Sequence, residues 1–170
     1  MIQALVIIAA ISIWIAFYSV CITVPAEVMA QLRKIESQDD DDFNKRISNY
    51  LRGLRTSVIM ISLLIMSAIA LTLTLTIFLP SSATTGSGVG TMPIAMMYVP
   101  VLLGVSSLNV IFSSLLLIMF IWAKSKVLRT NRLSPDKITY IATQTRYLTM
   151  LVGGVWVLEL FYVLLLNLNE

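Results

Sequence analysis

A chain of 170 residues that is 58% hydrophobic and 12% charged, with a mean hydropathy of +0.88, is not built like a water-soluble domain, where about a quarter of residues carry charge. It has no histidine and one cysteine, Cys21, which excludes an intrachain disulfide, His-ligated haem, the common catalytic zinc sites and a Ser-His-Asp triad. No phosphate loop of the GxxxxGKS/T type is present, so the net charge of +3 and the pI near 9.2 must be explained by where the cations stand.

Residues 2–24 form the first apolar run. About 20 such residues cross a hydrocarbon core as a helix, so the run predicts a transmembrane span. Nothing positive precedes Arg33, and the run exceeds the roughly 7–15 apolar residues of a signal peptide, so it reads as a retained anchor. Residues 25–55 then form a polar loop in which Pro25 marks the exit from the membrane. Val28, Met29, Leu32 and Ile35 recur at helical spacing. So do Phe43, Ile47, Tyr50, Leu51 and Leu54, with Lys45, Arg46, Asn49 and Arg52 opposite. The pattern predicts a short helical hairpin extending the first two spans, with the run QDDDDF at 38–43 as its tip. Adjacent carboxylates at Asp39, Asp40, Asp41 and Asp42 point apart, and the spaced ligands and turn glycine of an EF-hand are missing. A solvated acidic tip that contacts a partner or a cation is expected, not a dedicated metal site.

The second span is expected at 56–79. Its LTLTLT stretch, 71–76, alternates like a strand, but it lies within 24 apolar residues, and an open strand could not satisfy its backbone in lipid. An uncharged external loop follows at 80–100, with 92–100, which holds Pro93 and Pro100, read as an interfacial entry. The third span is expected at 101–123 and a second basic loop at 124–146. Within that loop SPDK, 134–137, reads as a helix start, with Ser134 as cap and Pro135 in the first turn. This helix would continue through the fourth span, 147–167, for about 33 residues.

All twelve cations lie in the two loops 25–55 and 124–146. The positive-inside bias therefore predicts both termini outside and both basic loops in the cytoplasm, in a prokaryotic cytoplasmic membrane. Arg52, Arg55, Lys124, Lys126 and Arg129 are expected to contact anionic lipid headgroups. The aromatic interleaving of a nucleic-acid-binding face is absent, so nucleic acid is not an expected partner.

One carboxylate interrupts the fourth span: Glu159, in VLELF. An ionisable residue inside a span is a functional candidate by default. Counting from the outer span ends places Glu159, Asn109 and Thr72 at one level, about 10–12 Å below the outer surface. Ser106 and Ser113 share the face of Asn109, and Tyr162 follows Glu159 at i+3. The expected arrangement is one polar layer of Glu159, Asn109, Thr72 and Tyr162. It serves as structural glue through a neutral Glu159, as a contact for another subunit, or as a proton or cation relay. Small residues at Ser12 and Ala16, and at Gly153 and Gly154, are expected to allow close helix approach.

The layout is similar in topology to two families. The Oxa-type membrane insertases have an outside N-terminus and a cytoplasmic helical hairpin, which 26–55 would match. Their polar groove opens to the cytoplasm, whereas the buried polar layer here is in the outer half and acidic. The membrane-bound glutathione-transferase-like family (MAPEG) has four spans and outside termini. Asn49, Arg52 and Arg55 precede the second span here, but no glutamate stands where that family carries one. These resemblances imply, respectively, an insertase-like factor or a glutathione-dependent enzyme.

The expected fold is an all-α integral membrane protein of four transmembrane helices in a single domain, with the hairpin between spans one and two. No cofactor is expected, and no nucleophile–base pair can be assembled in the loops. The expected role is therefore non-catalytic: an accessory or assembly subunit of a larger membrane complex, or a homo-oligomer. Ion or proton translocation through Glu159 is the alternative of a different class.

Overall fold

The computed structural model describes residues 2–33, 40–78, 94–130 and 133–167, with side chains described for 5–33, 43–74, 101–130 and 133–164. Four helices account for almost all of them: α1 (Ile2–Arg33), α2 (Asp40–Phe78), α3 (Ile94–Leu128) and α4 (Pro135–Asn167). All four are long and apolar enough to cross a membrane. The shortest, α1, has 32 residues and rises about 48 Å.

The helices overrun the expected spans. Proline at position 25 cannot donate to the carbonyl of Cys21 and crowds it, yet α1 continues two further turns to Arg33. Pro100 likewise lies within the second turn of α3, so 94–100 is helical and continuous with the rest. The alternating LTLTLT stretch is helical too. Thr72 donates to the carbonyl of Ala68 at 2.8 Å and Thr74 to that of Ala70 at 2.7 Å, so these hydroxyls are satisfied within their own helix. Ser134 stands at the N-cap of α4, its carbonyl accepting the first helical bond from the Ile138 N–H at 3.1 Å. Residues 80–93 of the expected external loop, Ile35 and Asp39 lie outside the described residues. Asp40, Asp41 and Asp42 form the first turn of α2, where negative charge suits the helix dipole.

Around the bundle the order is α1, α2, α4, α3. The tightest seams join α1 to α2 and α3 to α4; α2 with α4 and α1 with α3 close the ring, α2 and α3 touch lightly across one diagonal, and α1 and α4 stand apart across the other. Each helix places a heptad-like row inward. On α1 it is Ala10, Phe17, Val24, Val28 and Leu32; on α4 it is Ile141, Leu148, Val152, Val155 and Tyr162. One continuous core runs from Phe17, Ile61 and Leu64 to Tyr50, Leu54, Phe120 and Val127. At the basic end, the expected hairpin residues Val28, Leu32, Phe43, Ile47, Tyr50 and Leu54 are buried, Leu51 is half-buried and Met29 is exposed. They pack with Phe120, Ala123, Val127 and Ile141, so all four helices share this end. Lys137 Nζ reaches Asn44 Oδ1 at 3.0 Å and ties the start of α4 to α2.

The outside of the bundle is as apolar as the inside. Ile15, Ile22, Met66, Ile118, Val157 and Leu160 are all more than half exposed. A soluble domain rarely shows such a continuous apolar surface.

Glycine lets one seam close tightly. A Cβ at Gly53 would stand 3.3 Å from Val24 Cγ1, 3.5 Å from Val28 Cγ2 and 3.9 Å from Phe120 Cζ. Valine has one strongly preferred rotamer in a helix, so neither neighbour yields easily. At the sites expected to ease helix approach, a Cβ on Gly154 would meet the flexible end of Ile65 at 3.4 Å, while Gly153 faces open space. Ser12 and Ala16 are exposed on the outer face of α1, away from the intramolecular seams. Gly53→Leu is expected to wedge α1 from α2 and cost about 1–3 kcal/mol, read as a lower thermal midpoint in detergent, while Gly153→Ala should leave the midpoint unchanged or raised.

Candidate functional site: the interhelical polar layer

The residues expected at one level are distributed over three seams of the bundle. Between α2 and α4, Thr72 Oγ1 and Tyr162 Oη are 2.6 Å apart. Thr72 already donates to the Ala68 carbonyl, so the phenol donates to Thr72, with Ala68 oxygen also 3.5 Å away. Between α1 and α3, Tyr18 Oη donates to Asn109 Oδ1 at 2.8 Å. The Tyr18 ring is held on both sides, by Phe17 at 5.6 Å and by the edge of Phe112 at 5.3 Å. Between α3 and α4, Ser107 Oγ donates to Glu159 Oε1 at 2.6 Å, and lower on that seam Trp156 Nε1 donates to Ser114 Oγ at 3.2 Å.

The level is therefore polar on every helix, but as three pairs and not a single knot. Asn109 turns toward α1, while Glu159 reaches the neighbouring face of α3. Depth counting placed the residues at a common height; it could not give their direction around each helix axis. The stripe Ser106, Asn109 and Ser113 is buried, as its spacing suggests. Ser107 flanks that stripe and was not singled out, because its partner is set by which helix stands beside α3. Tyr18 is not among the residues expected in the layer, because its partner is set by which helix stands beside α1. The signal for Glu159 was available: 148, 152, 155, 159 and 162 step by four, three, four and three, so Glu159 falls in the inward row of α4.

Ser107 is also 2.9 Å from the carbonyl of Leu103. A hydroxyl has one proton. Ser107 therefore serves the Leu103 carbonyl or Glu159 Oε1, but not both at once. Glu159 Oε2 is buried without a protein partner. Beside the layer, Trp14, Ser106, Asn109 and Tyr162 line a central crevice of about 10 Å³, room for about one water. Trp14 Nε1 is also buried without a protein partner.

The other candidate residues lie at the basic end. Arg52, Arg55 and Arg129 are exposed; Lys124 and Lys126 are half-buried, with Lys126 Nζ 5.3 Å from the centre of the Trp122 ring. The side chains of Asp40, Asp41 and Asp42 lie outside those described. Comparison with known protein families, with curated proteins and with solved structures returns no match.

The geometry makes the layer measurable as energy. In a double-mutant cycle of Thr72→Val and Tyr162→Phe, unfolding in bicelles should give a coupling of about 0.6–1.7 kcal/mol. Glu159→Gln, which keeps an acceptor for Ser107, should cost less than Glu159→Leu, which leaves Ser107 only the Leu103 carbonyl. Zero coupling in the cycle would mean the pair does not bind α2 to α4.

Proposed function

We propose that this chain is a non-catalytic subunit of an integral membrane assembly, holding its place by helix contacts. In this reading the four helices cross a prokaryotic cytoplasmic membrane with both termini outside and the basic ends of the bundle in the cytoplasm. The apolar exterior then faces lipid. The gathering of all cations into 25–55 and 124–146 sets the orientation, and Trp122 under Lys126 suits a headgroup boundary.

The observation that carries the subunit reading is the outer face of α1. This helix is the least covered of the four: 17% of its most apolar stretch is buried, against 33% for α2. Ser12, Ala16, Ser19 and Thr23 stand exposed along that face at i, i+4, i+7 and i+11. The three hydroxyls return their protons to Ile8, Ile15 and Ser19 carbonyls at 2.9–3.0 Å. A row of small, internally satisfied residues gives lipid little to grip. It lets another helix approach closely, where packing and not hydrophobicity drives association.

A proton or cation relay through Glu159 has less support. Transport needs polar stations across the whole thickness, and below the layer the axis is filled by Phe17, Ile61, Leu64, Leu116, Phe120 and Leu148, all buried. Oxa-type insertion and glutathione chemistry rest on topology alone.

Co-purification in mild detergent from the native membrane tests the proposal. The wild-type chain should bring down defined membrane partners or further copies of itself. Ala16→Ile should release them without moving the thermal midpoint, and Glu159→Gln should retain them. Recovery of the wild-type chain as an isolated monomer, or proton flux in vesicles that Glu159→Gln abolishes, would overturn it.

A further inference from the structure

At the basic end, a groove of about 280 Å³ runs between α1 and α2. Its floor is Val20, Val24 and Gly53, and its walls are polar. Thr23, Glu27 and Gln31 line one side at i, i+4 and i+8 of α1; Asn49, Arg52 and Thr56 line the other at i, i+3 and i+7 of α2. Such spacing keeps each set on one helix face, so the two rows confront each other across the groove. Thr23 is bonded to its own helix. The described residues show no hydrogen bond or ion pair for the side chains of Glu27, Gln31, Asn49, Arg52 or Thr56, and Glu27 and Arg52 do not neutralise each other.

We infer that this groove binds a headgroup carrying a phosphate and a primary ammonium, as in an aminophospholipid. A guanidinium presents a fork of donors that matches phosphate oxygens. A carboxylate on the opposite wall would repel a simple anion but pairs with an ammonium. Arg52 takes the phosphate and Glu27 the amine, while Gln31, Asn49 and Thr56 supply neutral hydrogen bonds. The volume is many times that of the one-water crevice beside the polar layer, ample for a phosphoethanolamine unit. Height agrees with this assignment: the groove straddles the inner ends of the expected spans, from Val20 to Gln31 on α1 and from Asn49 to Thr56 on α2, and Ile59 is exposed one turn further on the apolar side, where acyl chains would run. The inference rests on the membrane reading and adds to it a built, selective site in place of general attraction between cations and anionic lipid.

The test uses the full chain, delipidated in detergent, with native mass spectrometry scoring phosphatidylethanolamine, phosphatidylglycerol and phosphatidylcholine. Phosphatidylethanolamine should bind about tenfold or more tighter than either of the others. Arg52→Gln should weaken all three by about tenfold; Glu27→Gln should weaken phosphatidylethanolamine alone and erase the preference. Both side chains are exposed, so an unchanged thermal midpoint is expected and separates lost binding from lost folding. Free phosphoethanolamine is the second probe. Displacement of the lipid by it assigns recognition to the headgroup, and failure to displace with lipid binding intact assigns it to the whole lipid; either supports the site. Equal binding of the three lipids, or indifference to both substitutions, overturns it. Alkaline carbonate extraction separates the two levels: a chain that stays embedded but shows no lipid preference sinks this inference only, and a chain that is washed off sinks the membrane reading beneath it.

Discussion

Four helices whose outer surfaces are as apolar as their inner ones cannot be sorted by hydrophobicity alone. In the bilayer setting proposed above, an isoleucine gains little by moving from lipid to a helix seam, so fit and the few polar groups that have somewhere to go decide the arrangement. Three of the four seams carry a side-chain hydrogen bond near one level: Tyr18 to Asn109, Tyr162 to Thr72 and Ser107 to Glu159. The fourth, between α1 and α2, has none there and is held by steric fit at Gly53 against Val24 and Val28. The cyclic order of the helices follows from these four devices. Asn109 needs α1 beside α3, while Thr72 and Ser107 need α4 between α2 and α3.

The hydroxyls that point outward obey the same constraint from the other side. Ser12, Ser19, Thr23 and Thr74 each donate to a carbonyl four residues back, leaving no free donor toward the surroundings. Thr72 and Thr74 show the division within one LTLTLT stretch. Both bond back to their own helix, but only Thr72 faces a neighbour and accepts from Tyr162. Alternation in the letters therefore does not imply a strand when each threonine can be satisfied inside a helix.

Much of this was legible in the residues. The apolar runs located all four helices, and the SPDK signal located the start of α4, where Ser134 and Pro135 occupy the cap and first position. The amphipathic spacing of Val28, Leu32, Ile47, Tyr50 and Leu54 gave the buried side at the basic end. Helix α1 continues past Pro25, as the expected hairpin extension requires, and α3 runs through Pro100 without a break, because a long helix tolerates one missing bond. The polar level was found by counting rise per residue, and its pairing was not. Partner choice depends on rotation about each axis and on which helices are adjacent, and adjacency is a property of the whole ring. Glu27 and Gln31 carry no signal in the sequence, since each is an ordinary surface residue until α2 sets Arg52 and Asn49 opposite.

The polar layer and the groove lie toward opposite ends of the bundle, and what fills the space between them constrains both. Phe17, Ile61 and Phe120 are fully buried there, and Leu64 and Leu116 nearly so. No chain of hydrogen bonds among the described residues crosses this plug. A change of charge at Glu159 therefore cannot pass to Arg52 through a polar wire; it could be felt there only if whole helices shifted. The two tight seams, α1 with α2 and α3 with α4, make such shifts most natural as movements of one helix pair against the other. The weaker seams that such a movement would strain are those closed by Tyr18–Asn109 and Thr72–Tyr162. Those two bonds join the pairs, whereas Ser107–Glu159 lies within one pair. The carboxyl that stands out most in the sequence thus fastens a contact that packing already secures, and the two phenols carry the register between the halves.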